Sequence, residues 1–534
     1  MTPLPKIGFV TVAVLLVALG TAGLSAGDLE EGKRWWKHVE FLASDRLEGR
    51  NTGSAGHKLA VDYVAGEFER AGLQAAGVNG YIQPVPFAVR QLDEANSKVD
   101  WIVNGAPSAV AFGDEITLAA RSDAEKPVTA AAVFVGYGLV VPEQNYDDLK
   151  GLDLKGKVVV KLSGGPKSIP GNLKSHYSSG AETWKFLKAA GAIGVISVAN
   201  PKSMDIPWPR IAESRLHPSM SLADPRMDDT AGLKVAMTIN PSKAERFFEG
   251  SGHTFQEILA LADSDQPLPK FPLKGQFRVK SAVRQSKVEP QNVVALLPGS
   301  DPALRAEYIV LSAHIDHLGV AEQGEGDRIF NGAMDNASGI GWLLETARRV
   351  KESGLKPRRS LIFLAVTGEE KGLQGSKFFA EYPSVKNARI VADINMDMVL
   401  PLFPLRYLEV QGLGESSLGA DIRAVCEAHG VQVQFDKEPD RNRFIRSDQY
   451  SFVKHGIPSL AFKFGWIPGS PEEKIYKAWY RDRYHGVKDD LQQPVDLEGA
   501  GKFTGMLFDL LTRVANESDR PHWNGDSFFK RFER

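Results

Sequence analysis

The chain has 534 residues, 43% apolar and 24% charged, which is globular composition and too long for one ordinary domain, so two or three are expected. Sixty-four basic residues against 66 acidic ones leave a net charge of -2, which excludes a general electrostatic pull toward nucleic acid or an anionic membrane. The single cysteine, Cys426, excludes an intramolecular disulfide and a thiolate metal site, and its place in the helical "IRAVCEAHG" makes it a small core residue.

Residues 1–26 carry one lysine, an apolar run from Ile7 to Leu19 and then small residues, the layout of a secretory signal peptide cleaved near Gly23 or Ala26. That layout implies export to the periplasm or the extracellular space. An uncleaved anchor is the alternative, since the run is only a little short of a bilayer span. No later stretch is long and apolar enough to cross a membrane, so no stable insertion is expected once the signal is removed.

Residues 27–100 open with helical sequence. In "HKLAVDYVAGEFERAGL" Leu59, Tyr63, Phe68 and Leu73 fall roughly on one face, and Gly72 and Gly77 supply stops. From 101 to 285 short β-branched runs such as "AAVFVGYGLVV", "GKVVVKLSGG" and "GAIGVISVANP" alternate with Gly, Pro and Asp, and one helical stretch, "AETWKFLKAAG", interrupts them. This predicts a β-rich domain carried within the chain. From 286 onward strand, loop and helix repeat: "EYIVLSA", "GIGWLLETARRVKES", "SLIFLAV", "SKFFAEY", "ARIVADINM", "SLGADIRAVCEAHG", "IPSLAFKFG". That alternation predicts an α/β fold, a mainly parallel mixed sheet flanked by helices. The tail "RPHWNGDSFFKRFER" reads as a strap packed on the domain surface.

Ionisable residues gather where the strands of this last domain end. His314 and Asp316 follow "EYIVLSA", Glu369 and Glu370 follow "SLIFLAV", and Asp397 follows "ARIVADIN"; Asp335 lies in "NGAMDNASG" before a helix and His485 in the loop "RYHGVKDD". Open α/β sheets bind ligands outside the carboxyl ends of their strands. So many carboxylates in one crevice repel one another unless a cation is present. Imidazoles and carboxylates without cysteine suit catalytic zinc. Three ligands per ion with one shared carboxylate would account for two ions about 3.5 to 4 Å apart.

The strings "AHIDHLG", "NGAMDNASG", "TGEEKGLQGS", "INMDM" and "YHGVKDD", in this order, resemble the co-catalytic dizinc aminopeptidases of the aminopeptidase S and bacterial leucyl aminopeptidase type, a group that includes the glutamate carboxypeptidases and the transferrin receptor ectodomain. "HVEFLASDRLEGRNTGSAG" is similar to the family's N-terminal opening, and "GYGLVVPEQNYDDLKGLDLKGKVVVKL" with "AAGAIGVISV" resembles an inserted protease-associated domain. The resemblance covers nearly all of the chain after the signal. It implies a zinc-exopeptidase fold of the phosphorylase/hydrolase-like type, two Zn²⁺ per chain and peptide substrates with a free N-terminus. His314, Asp335 and Asp397 are implied on one zinc, and Asp335, Glu370 and His485 on the other, with Asp335 bridging. Glu369 is implied as the general base toward a water between the metals, and Asp316 as the carboxylate that holds the His314 imidazole.

"RSDQYSF" departs from the family pattern, with Gln449 where many relatives have histidine. Ser447 is expected as a helix N-cap and Asp448 as a carboxylate behind the ligands. Tyr484 reads either as a donor to the tetrahedral oxyanion or as a packed aromatic. His317 is expected to pack or face solvent, as are His57, His176, His217, His253, His429, His455 and His522. The alternatives are a dizinc carboxypeptidase or N-acyl amino-acid hydrolase, with Arg441, Arg443 and Arg446 clamping a substrate carboxylate, a single-metal glutaminyl cyclase relative, and a receptor-like protein without turnover.

Overall fold

The computed structural model describes residues 27–533 apart from 121–125, 205, 322–323 and 442. The expected signal peptide lies outside the described residues.

Nine strands form the larger sheet: β1 (Gln74–Ala75), β2 (Ile82–Pro84), β3 (Gln291–Leu297), β4 (Glu307–His314), β5 (Ser360–Val366), β6 (Arg389–Asn395), β7 (Tyr407–Gln411), β8 (Gln432–Gln434) and β9 (Ser459–Phe464). Their order is β1-β3-β5-β4-β6-β9-β7-β8, and β2 also pairs with β3. The four central strands β5, β4, β6 and β9 run parallel, while β3 and β7 lie antiparallel to their inner neighbours. Every residue of β5 and of β9 is buried, as a parallel sheet covered on both faces requires.

The period-2 alternation of the strands divides the core. Ile309, Leu311 and Ala313 of β4, with Leu361, Phe363 and Ala365 of β5, face the helices 27–42, Ala55–Arg70, Ser338–Ser353 and Leu497–Asn516. Val310, Ile362 and Leu364 face the thinner layer that contains Phe379 and Phe452. Trp35 stacks on Trp342 at 4.7 Å and donates to the Ser338 carbonyl, which locks the first helix against the helix that follows the Asp335 turn. Cys426 is buried among them.

The helix Ala55–Arg70 differs from its sequence reading. Its buried residues are Ala60, Val61, Val64 and Phe68, while Leu59 and Tyr63 are only half-buried. Packing on β3 and on the helix 338–353 turns the helix by about one residue, because small side chains allow closer approach than Tyr63 would. The chain beyond Gly72 continues as short strands rather than as helix.

A second sheet of eight strands is built from residues between Lys98 and Lys280 and has its own core, which includes Trp101, Phe134, Phe247 and Phe277. A three-stranded sheet of Phe87–Leu92, Ser219–Leu222 and Val283–Val288 ties this region to the larger domain. The C-terminal tail is a strap, with Trp523 and Phe529 buried and Arg531 pairing with Glu143 of the inserted region. No helix among the described residues is long and apolar enough to cross a membrane.

Candidate metal centre

The parallel strands deliver their carboxyl ends to one edge. His314 is the last residue of β4, Asp397 lies just beyond β6, and Glu369 and Glu370 form the turn after β5. Asp335 sits in the turn 333–337 that opens the helix Ser338–Ser353, and His485 follows the helix Pro471–Asp482. Gly332 enters the Asp335 turn at φ +60°, where a Cβ would stand 2.2 Å from the Asp335 carbonyl oxygen, so only glycine fits.

Asp335 stands between two sets of candidate ligands. Its Oδ1 is 3.3 Å from His314 Nε2, which lies 3.5 Å from Asp397 Oδ1, and its Oδ2 is 3.3 Å from His485 Nε2, which lies 3.4 Å from Glu370 Oε2. Two ligands on one tetrahedral zinc, each about 2.0–2.1 Å from the ion, are about 3.3–3.4 Å apart. Three of the four separations match that edge and the fourth, His314 to Asp397, is 0.1 Å longer. Both His314 Nε2 and Asp397 Oδ1 are buried without a hydrogen-bond partner, a costly state that a cation between them removes. The residues therefore fit zinc.

His317, expected to pack or face solvent, is fully buried, and it packs at this centre. It competes geometrically with His485, because a ring nitrogen of His317 also converges with Asp335 and Glu370. Its Nδ1, however, is 2.7 Å from Glu370 Oε1. That is a hydrogen-bond length, too short for two ligands on one ion, so His317 orients Glu370 and leaves Oε2 to face His485.

Asp316 differs from expectation. Its backbone carbonyl, 3.1 Å from His314 Nδ1, holds the ring and leaves the Nε2 lone pair toward Asp335 and Asp397. Its carboxylate accepts from the Thr52 hydroxyl at 2.7 Å and from the Glu369 backbone N–H at 3.2 Å, and so ties the turn of Glu369 and Glu370 to the end of β4. Three further residues were not singled out from sequence. Asp489 accepts from the backbone N–H groups of Met334 and Asp335. Buried Arg50 donates to the carbonyls of Leu42, Ile315, Asn331 and Gly332, and so joins the two segments that carry His314 and Asp335. Thr52 is the third. Arg50 and Thr52 lie in "DRLEGRNTG" and Asp489 in "YHGVKDD"; membership in those strings was the one available signal.

The loop of His485 is gripped from outside the larger domain. Arg210, on the helix Trp208–Glu213 of the inserted region, donates to the carbonyls of Tyr484 and Arg481. His485 itself adopts φ +51°, a strained left-handed conformation for a non-glycine residue. Removing a group that positions a ligand typically costs about 10–100-fold in metal affinity. Arg210→Ala is therefore expected to weaken metal binding at His485 by roughly tenfold, as read by chelator competition; an unchanged affinity would show that the grip does not act through His485.

Burial raises Asp335, but hydrogen bonds from His314 and His485 outweigh it and hold the carboxyl well below its usual range. Burial also dominates at Glu369, where the nearby charge of His314 opposes it and those of Glu370, Asp397 and Asp448 add to it; its carboxyl is pushed well above the ordinary value. Asp448 is buried and pushed up to about 7, chiefly by desolvation. Ser447 does not cap the helix Gln449–Val453 with its side chain; its Oγ accepts from Asn395 at 3.0 Å, because Asn395 reaches it from β6. Gln449 is spent on the same framework, accepting from Asn395 and donating to the Phe444 carbonyl. Tyr484 packs its ring 4.1 Å from that of His485. Of the histidines read as structural, His57 and His176 are buried, and His253, His429 and His455 are partly exposed and hydrogen-bonded to Glu257, Asp509 and Glu381.

The "Aminopeptidase from Aneurinibacillus sp. strain AM-1" superposes with a TM-score of 0.54 at 20% identity, over 93% of this chain and 97% of that one, which shows a shared fold. "Leupeptin-inactivating enzyme 1" of Streptomyces exfoliatus is 29% identical over 31% of this chain and 34% of its own length, and a "Probable zinc metalloprotease" of Pyrenophora teres f. teres (strain 0-1) is 36% identical over 20% and 22%. The chain thus spans about a third or less of these curated relatives. The family model described as "Peptidase family M28" matches residues 292–511. The segment that carries His314, Asp335, Glu369, Glu370, Asp397 and His485 therefore belongs to peptidase family M28.

Proposed function

We propose that the protein is an exported aminopeptidase that holds two zinc ions, His314, Asp335 and Asp397 around one and Asp335, Glu370 and His485 around the other. The observation that carries this reading is Asp335, whose two oxygens each face a different histidine at the edge length of a zinc tetrahedron. Zinc held there supplies Lewis acidity, lowering the pKa of water and polarising a carbonyl.

Glu369 is the general base. It lines the same cavity as Asp335, Glu370, Asp397 and His485, accepts a proton from the attacking water and passes it to the leaving amine. Tyr484, whose phenol burial keeps protonated, also lines the cavity and can donate to the oxyanion. The carboxypeptidase reading draws on Arg443 and Arg446 in the cavity wall. Arg443, however, is already paired with Glu438 at 2.9 Å and lies over Tyr480.

Hydrolysis of aminoacyl amides and of their N-acylated counterparts, with zinc content determined on the same samples, tests the reading. Cleavage of the free-amine set alone, with two zinc ions per chain, is the expected result. Cleavage of acylated, carboxylate-ended substrates instead would move the protein to the carboxypeptidase branch. Bound metal with no turnover would make it receptor-like.

A further inference from the structure

The cavity beside the ligands encloses about 260 Å³, and its floor is the antiparallel pair β7 and β9, where Gln411 stands opposite Ala461 and Glu409 opposite Lys463. Residues two apart on a strand share a face, so Ala461 and Lys463 line the cavity together, beside Gln411. Ala461 leaves room between the two long side chains.

Both long side chains are buried donors with capacity to spare. Gln411 is 3% exposed and its Nε2 has no acceptor. Lys463 is 5% exposed; its Nζ donates to the Asp397 carbonyl at 2.8 Å, which uses one of three N–H groups, and no carboxylate among the described residues lies within ion-pair distance. The acidic groups in the cavity wall are Asp335, Glu369, Glu370 and Asp397, all assigned above to metal and proton transfer.

Gln411 Nε2 is a buried donor without an acceptor, a costly state, and Lys463 Nζ keeps two N–H groups to spare; both residues line the same space. A carboxylate offers about four lone pairs and the charge that complements an ammonium. An apolar or cationic side chain would leave Gln411 Nε2 unpaired and the remaining charge of Lys463 uncompensated, the situation in which polar pockets discriminate most strongly.

We propose that this cavity is a specificity pocket for a substrate carboxylate, held by Lys463 Nζ and Gln411 Nε2. The inference rests on the peptidase reading above. The carboxylate can come from the side chain of an acidic residue at a free N-terminus or from the C-terminus of a peptide.

The test uses the zinc-loaded full chain and the p-nitroanilides of Glu, Asp, Leu and Lys, together with an N-acetylated dipeptide that ends in glutamate. The acidic anilides are expected to exceed the Leu and Lys anilides in kcat/KM by about tenfold or more. Lys463→Met should lower the Glu-to-Leu ratio roughly 10- to 100-fold, mainly through KM. Gln411→Leu should lower it less, Lys463→Arg should retain it, and zinc content should hold in all three. If the acetylated dipeptide is cleaved with the same dependence on Lys463, the C-terminal carboxylate is the source. A Leu anilide that matches or exceeds the Glu anilide, or a ratio unmoved by both Lys463→Met and Gln411→Leu, overturns the proposal and leaves the peptidase reading standing. Should nothing be hydrolysed, the peptidase reading fails. Calorimetric binding of free glutamate then decides the pocket, since binding must be weaker in Lys463→Met and its absence refutes the site.

Discussion

Glu369→Gln is expected to lower kcat by about 10³-fold while zinc content stays unchanged, because general acid–base catalysis contributes roughly 10²–10⁴-fold. The substitution keeps the size of the side chain and removes its capacity to accept a proton. The turn around it should survive, since it is held by the Glu369 backbone N–H on Asp316 and not by the side chain. Single-turnover kinetics on an aminoacyl amide, with metal content measured by mass spectrometry, would check this. Zinc lost along with activity would make Glu369 a ligand, and unchanged kcat would place the base elsewhere.

Asp335→Asn is the second. Asp335 Oδ1 faces His314 and Oδ2 faces His485. An amide keeps one oxygen and turns an NH₂ group, which cannot ligate, toward the other histidine. The expected result is loss of at least one zinc and a fall in kcat/KM of about 10³-fold or more, as expected when the groups that create the nucleophile are lost. Asp397→Asn and Glu370→Gln should each affect a single ion, on the His314 side and the His485 side respectively. Metal titration of the three variants separates a shared ligand from two unshared ones. Equal, one-ion losses in all three would refute the bridge. Because metal bound to the folded state stabilises it by mass action, Asp335→Asn should also show the smallest rise in Tm on adding zinc.

Much of the centre could be read from short strings because its chemistry is local. A carboxylate or imidazole one or two residues past a buried parallel strand must emerge at the carboxyl edge, whatever packs behind it. His314, Glu369, Glu370 and Asp397 are of this kind. The β5, β4, β6 and β9 runs were legible for a related reason, since strands buried on both faces read as mostly apolar runs even where β6 and β9 carry a buried Asp393 and Lys463. The helix Ala55–Arg70 was less legible, because Leu59 and Tyr63 lie about 100° from the face that packing selected.

What depended on distance in space was not legible. His317 and His485 are both near Glu370, and only the 2.7 Å and 3.4 Å separations show which is hydrogen-bonded and which stands at a zinc edge. The Asp316 carboxylate turned to Thr52, from a segment 264 residues earlier in the chain, because the adjacent backbone carbonyl already satisfied His314. Arg210 reaches the His485 loop across 274 residues.

The sequence by itself determined the α/β class, the residue types of the centre and the edge at which they meet, since those follow from periodicity and from the repulsion of clustered carboxylates. The tertiary structure alone decided that His317 is hydrogen-bonded to Glu370 while His485 stands farther off, what braces the turns that carry these residues, and that Lys463 and Gln411 keep unspent donors beside them. Hydrogen bonds and buried charges are settled by separations of a few tenths of an ångström between residues far apart in the chain, and no local pattern encodes those.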